Sequence, residues 1–194
     1  MKHLNDSPLE RIIDEIRKTY GFQPDSLEET EALVAQRTDR DGCDQDELAG
    51  ALMLLGYAHR QALSEHEACT CYVKAHELYS RDPYSESPGL ARSLWLLASS
   101  HYRAFSFDTA EDLYRDAVRA YCASIGINSD EGRACLADFL EFARGIVKSD
   151  DLADEVEEII AFGEWAARMD EEGASDTEIC HERACAEGTA TAAA

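Results

Sequence analysis

Only four prolines interrupt the 194 residues, and the abundance of Ala, Leu, Glu and Arg around them favours an all-helical chain. Long apolar runs are missing too. None approaches the 18 residues that a membrane span needs, and the start, Met1 to Asp6, lacks the apolar core of a signal peptide. A cytoplasmic protein is expected. Bases are scarce: 18 Lys and Arg stand against 40 Asp and Glu, for a formal charge of −22. That balance argues against direct contact with nucleic acid or an anionic membrane, and it suits a basic partner or simply keeps the chain soluble. The seven cysteines are odd in number and irregularly spaced, so they read as reduced packing residues rather than a disulfide framework. No Gly-rich phosphate loop, Ser nucleophile elbow or His-Glu-x-x-His helix is present. Neither an enzyme nor a bound cofactor is expected.

What the chain does contain is a repetition. Leu52, Leu55, Gly56, His59, Ala68, Tyr72 and Ala75 recur 42 residues later as Leu94, Leu97, Ala98, His101, Ala110, Tyr114 and Ala117. Large residues three to four apart precede a turn, and Ala, aromatic and Ala follow it, so each unit reads as two helices with facing stripes. The Ala positions let the helices approach, and the tyrosines fill the space between them.

Leu55-Gly56 and Leu97-Ala98, followed by Ala68-Tyr72-Ala75 and Ala110-Tyr114-Ala117, resemble the tetratricopeptide repeat. The period is longer than the usual one of about 34 residues and is similar to that of kinesin light chains. The resemblance implies a right-handed α-solenoid of helical hairpins, all-α, with about three repeats plus an N-terminal capping hairpin. It also implies binding of other proteins rather than catalysis.

In order, the repeat domain is expected to cover residues 1–173. Ser7, Pro8 and Glu10 start a helix to about Tyr20, with Leu9, Ile12, Ile13 and Ile16 as its apolar stripe. Asp25 and Glu28 open a second helix to Arg37, closing a cap over 8–37. Repeats follow over about 45–80, with Ser64 and Glu67 as a capping box, then 88–124, then 130–170. One more period puts Leu136, Phe139, Leu140 and Ala143 on a third first-helix. A weakly ordered tail is expected over 174–194, where almost no large apolar residue remains.

The resemblance places the exposed positions of each first helix on a concave groove. Carried onto this chain they are Met53, Tyr57 and Arg60, then Trp95, Ser99, Tyr102 and Arg103, then Asp138, Glu141 and Arg144. Aromatics and Arg dominate binding hot spots, so this line is the candidate partner site, with Trp95 at its centre. The Asn that kinesin-light-chain grooves use to hold a peptide backbone is replaced by Leu54, Leu96 and Asp138, which favours a folded partner or a helix. His59 and His101 fit packing positions between paired helices. Cys180, His181 and Cys185 form the best metal candidate, but neighbours on a helix point about 100° apart and cannot converge on a tetrahedral ion. The expected function is an adaptor binding a protein or peptide partner, and a homodimer is compatible with it. The rival is an acidic chaperone, antitoxin-like inhibitor or nucleic-acid mimic that covers a basic protein with the carboxylates of residues 150–187.

Overall fold

The computed structural model describes residues 8–40, 44–81 and 87–171. The expected tail, Cys43, Cys180, His181 and Cys185, the cap residue Ser7 and most of the loop between the first two repeats lie outside them. The described residues form eight α-helices and one π-helix: α1 (Pro8–Tyr20), α2 (Leu27–Thr38), α3 (Gln45–Gln61), α4 (Glu65–Tyr79), α5 (Pro88–Arg103), α6 (Phe107–Ala123), α7 (Asp130–Glu141), the π-turn Phe142–Val147 and α8 (Asp150–Glu171). From α2 onward every element packs on its successor, and α3 also touches α5. This all-α solenoid stacks hairpins α3–α4, α5–α6 and α7–α8 side by side.

Local chemistry sets the boundaries. Ser26 accepts from the Glu29 amide at 3.2 Å and starts α2, while the Asp25 amide donates to the Glu29 carboxylate at 2.8 Å. The box is therefore Ser26 with Glu29, one residue beyond the expected Asp25 and Glu28. Asp44, Ser87 and Ser129 cap α3, α5 and α7 through side-chain oxygens. Ser64 departs from expectation, because its side chain makes no capping bond. Its amide is already committed to closing α3 on the His59 carbonyl at 2.9 Å, and this holds the residue away from capping geometry.

The core follows the repeat. Ala68, Ala75, Ala110 and Ala117 are fully buried where paired helices touch, with Tyr72 and Tyr114 between them. Methyl-sized residues there let the axes come close enough for the tyrosines to bridge the remaining gap. The π-turn carries a slip in the period. Ser64 and Ser106 are 42 residues apart, but Ser106 and Ser149, the equivalent residue after the third first-helix, are 43 apart.

The N-terminal cap is divided between two places. α2 covers α3 as a terminal helix should, whereas α1 leaves α2 and packs against α3 and α7. A helix that reaches both must lie over the row α3, α5, α7. Its stripe of Leu9, Ile12, Ile13 and Ile16 is buried there, worth roughly 1.5–3 kcal/mol per side chain.

Candidate protein-interaction surface

Trp95 sits at the centre of the row of first helices and is 0 % exposed. Its indole N–H donates to Asp138 Oδ2 at 2.8 Å, and the Tyr114 hydroxyl donates to the same oxygen at 2.9 Å. Tyr121 meets the indole edge-on, with centroids 6.1 Å apart. Burial first, and the Asp138 charge second, push the Tyr114 phenol well above its ordinary range, so it remains a donor at any physiological pH. A second tie runs beside it. Arg92 donates from Nε and Nη2 to the two carboxylate oxygens of Glu131 at 2.8 and 2.6 Å, and the Tyr121 hydroxyl donates to Glu131 at 3.2 Å. Both networks join α5 and α6 to α7.

α1 closes this row from the other side. Tyr57 donates to Glu10 at 3.4 Å, and the Tyr20 ring lies over Gly50, where an added Cβ would come within 2.6 Å of it. Between α1 and α7 a cleft of about 460 Å³ remains, lined by Arg11, Ile12, Glu15, Trp95, Glu131 and Ala134 among others. Its walls carry both signs of charge.

Three of the expected groove residues therefore lie elsewhere than on an open face. Met53, Trp95 and Ser99 are buried. Met53 belongs to the core that includes the α1 stripe, Trp95 is enclosed by α1, α6 and α7, and Ser99 lies under the Arg60 guanidinium, which donates to it at 2.8 Å. Asp138 serves inside the fold, holding two ring donors. The signal for that role was present in the sequence: a carboxylate replaces the leucines found at the two equivalent positions, and such an acid needs partners.

The remaining residues share one location, the last turns of the first helices. Tyr57 and Arg60 are half-buried on α3, and Tyr102 is half-buried on α5, edge-on to Phe142 at 5.9 Å. Arg103 is exposed and pairs with Glu65 at 2.6 Å, so it reaches from α5 to the preceding hairpin. Glu141 and Arg144 are exposed at the third first-helix, with Arg144 paired to Glu157 of α8. His59 and His101 are half-buried on the same turns. Surface pairs of this kind contribute about 0–1 kcal/mol each; their main effect is to fix where the guanidinium groups stand. Among the described residues no three His, Cys, Asp or Glu side chains converge as metal ligands, and no helix is long and apolar enough to cross a membrane.

The profile of the tetratricopeptide repeat matches residues 47–123, the span of α3 to α6. These residues belong to the tetratricopeptide repeat family. Tetratricopeptide repeats generally mediate protein–protein interaction, and the family is typically a non-catalytic scaffold. Among solved structures, the chain resembles BtubC (BKLC) from P. vanneervenii, with a TM-score of 0.60 and 18 % identity over 77 % of this chain and 58 % of that one. This chain thus spans little more than half the length of that protein, and at such identity the likeness is one of fold. No curated protein matches the sequence.

Proposed function

We propose that the chain is a non-catalytic, cytoplasmic adaptor that takes up a protein partner along the line of Tyr57, Arg60, Tyr102, Arg103, Glu141 and Arg144. The observation that carries the reading is the recurrence of an arginine on equivalent last turns of three successive first helices, each held by a neighbouring side chain. Arginines fixed in this way lose little further freedom when a partner docks, and the two flanking tyrosines offer rigid, amphipathic area beside them. Burial of Met53, Trp95 and Ser99 supports a surface on this edge of the row, beside α1 rather than beneath it. A basic partner would be drawn in by the chain's net charge.

Affinity capture from native host extract, with wild type beside Tyr102→Ala and Arg103→Ala, tests this reading. Each substitution is expected to weaken recovery of the partner by on the order of tenfold, while Arg103→Ala leaves thermal unfolding close to wild type. Joint neutralisation of Glu155, Glu157 and Glu158 should matter less. If the acidic triple variant loses the partner, Arg103→Ala keeps it and binding collapses with salt, the chain acts instead as an acidic cover for a basic protein.

A further inference from the structure

The turns that join the helices of the first two hairpins are built alike, and they carry residues that stability alone would not select. At the first, the Leu63 amide donates to the Arg60 carbonyl at 3.0 Å and the Ser64 amide to the His59 carbonyl at 2.9 Å. At the second, the Phe105 amide donates to Tyr102 at 3.0 Å and the Ser106 amide to His101 at 2.9 Å. This pattern closes a helix with one left-handed residue, a place that glycine normally takes. Leu63 holds it at φ 61° and Phe105 at φ 59°, where a side chain crowds its own backbone. The chain has glycine for such positions elsewhere, at Gly21 after α1 (φ 67°) and Gly126 after α6 (φ 83°).

Both side chains also stand in water. Leu63 is 82 % and Phe105 81 % exposed, whereas the other exposed large apolar residues among those described lie between 36 and 43 %. Two strained, solvated apolar residues 42 positions apart bury little for the isolated fold. They are connected, however. The Arg103–Glu65 pair ties the second turn to the first, Phe105 meets Phe107 edge-on at 6.1 Å, and Phe107 packs on Phe142 at 6.3 Å. The third turn continues the line with the partly exposed Ile146 and Val147.

We infer that this turn edge is an anchoring surface for a basic amphipathic helix of a protein partner, with Leu63 and Phe105 as its apolar contacts. Charge argues for the basic character. The first turns of the second helices present exposed acids at Glu67, Asp108, Asp150 and Asp151, and Arg103 and Arg144 nearby are already matched by Glu65 and Glu157, leaving the half-buried Arg60, held by Ser99, and Lys148 as the counterweights. Spacing argues for a helix. α3 and α5 are in contact, and helices in contact run with axes about 8–10 Å apart, close to the rise of two turns of an α-helix at about 11 Å, so apolar residues seven apart on the partner suit successive turns. The inference goes beyond the arginine line, and it holds whether or not that line binds.

The test uses the full chain and a synthetic helical peptide of about three heptads, with Leu at one position per heptad and Lys on the flanking positions, followed by fluorescence anisotropy. The double substitution Leu63→Gly and Phe105→Gly should weaken binding by about tenfold or more, and its Tm should hold or rise because glycine suits the left-handed turns. Tyr57→Ala, on the arginine line but outside both turns, should bind the peptide like wild type, which separates this surface from that line. A peptide with Ser in place of Leu should bind weakly. Unchanged affinity in the double variant, equal binding of the Ser peptide, or a fall in Tm would each overturn the inference. So would a dimer in sedimentation that the double variant abolishes, because the edge would then serve a second copy of the chain.

Discussion

Hairpins α3–α4 and α5–α6 share six residues in register and differ at a seventh, Gly56 against Ala98, and they hold their central tyrosines differently. In the first, a Cβ at Gly56 would fall 2.4 Å from the Tyr72 ring, so the ring rests directly on the backbone of its own partner helix. Its hydroxyl finds no hydrogen-bond partner among the described residues. In the second, Ala98 supplies the methyl that Gly56 lacks. Tyr114 stacks on Phe139 of α7 with centroids 5.1 Å apart and donates to Asp138. One methyl group thus separates a tyrosine that closes its own hairpin from one that welds its hairpin to the next. The same sequence pattern can be satisfied within a repeat or between repeats, and only the second choice transmits cooperativity along a solenoid.

The contrast can be broken most severely at Trp95. Truncation to Ala should cost about 3–5 kcal/mol, by loss of a fully buried indole and of one donor to Asp138, against about 2–5 kcal/mol for Met53→Ala at the equivalent place on α3. Urea denaturation measures both, and a Trp95→Ala variant as stable as wild type would mean that the indole is not enclosed. The next effect is at the methyl itself. Gly56→Ala should destabilise by about 1–3 kcal/mol because the Tyr72 ring must move, whereas Ala98→Gly should lose only about 1 kcal/mol, chiefly through chain entropy. Equal losses in thermal unfolding would erase the distinction between the hairpins. The finest probe is a pair of hydroxyl deletions. Tyr114→Phe should cost about 1.5 kcal/mol for a hydrogen bond to a charged acceptor, and Tyr72→Phe about zero or a slight gain. Reversal of that order in matched melts would show that Tyr72, not Tyr114, carries the polar contact.

Much of this architecture was legible in the residues. Proline at the first helical position, serine and aspartate caps and the 42-residue recurrence locate the starts of α1, α3, α5 and α7, because caps and stripes act over one turn of chain; the end of α7 at Glu141, where the π-turn takes over, was not legible. The placement of α1 was not legible. A stripe of Leu9, Ile12, Ile13 and Ile16 states that the helix is buried but not against what, and any apolar row of sufficient length would satisfy it. Trp95 was misplaced for the same reason: a first-helix aromatic faces an open groove only when nothing else lies across the row, and here α1 does. The Ser64 box failed on a competition that spacing does not reveal, since one residue cannot both finish α3 through its amide in a tight turn and adopt the extended backbone of a side-chain cap.

The π-turn Phe142–Val147 has a consequence for how such an array tolerates change in length. An extra residue inside an α-helix rotates everything beyond it by about 100° and would swing the α8 stripe of Leu152, Ala153 and Val156, now buried, out of contact. Widening one loop of the ladder, so that the Lys148 and Ser149 amides both reach back to the Ala143 carbonyl, takes up the added residue as a local swelling and returns the chain to phase. An inserted codon in the third unit is thereby rendered silent for packing, and the array behaves less like a rigid thread than like one with a single slack link placed ahead of its last turn.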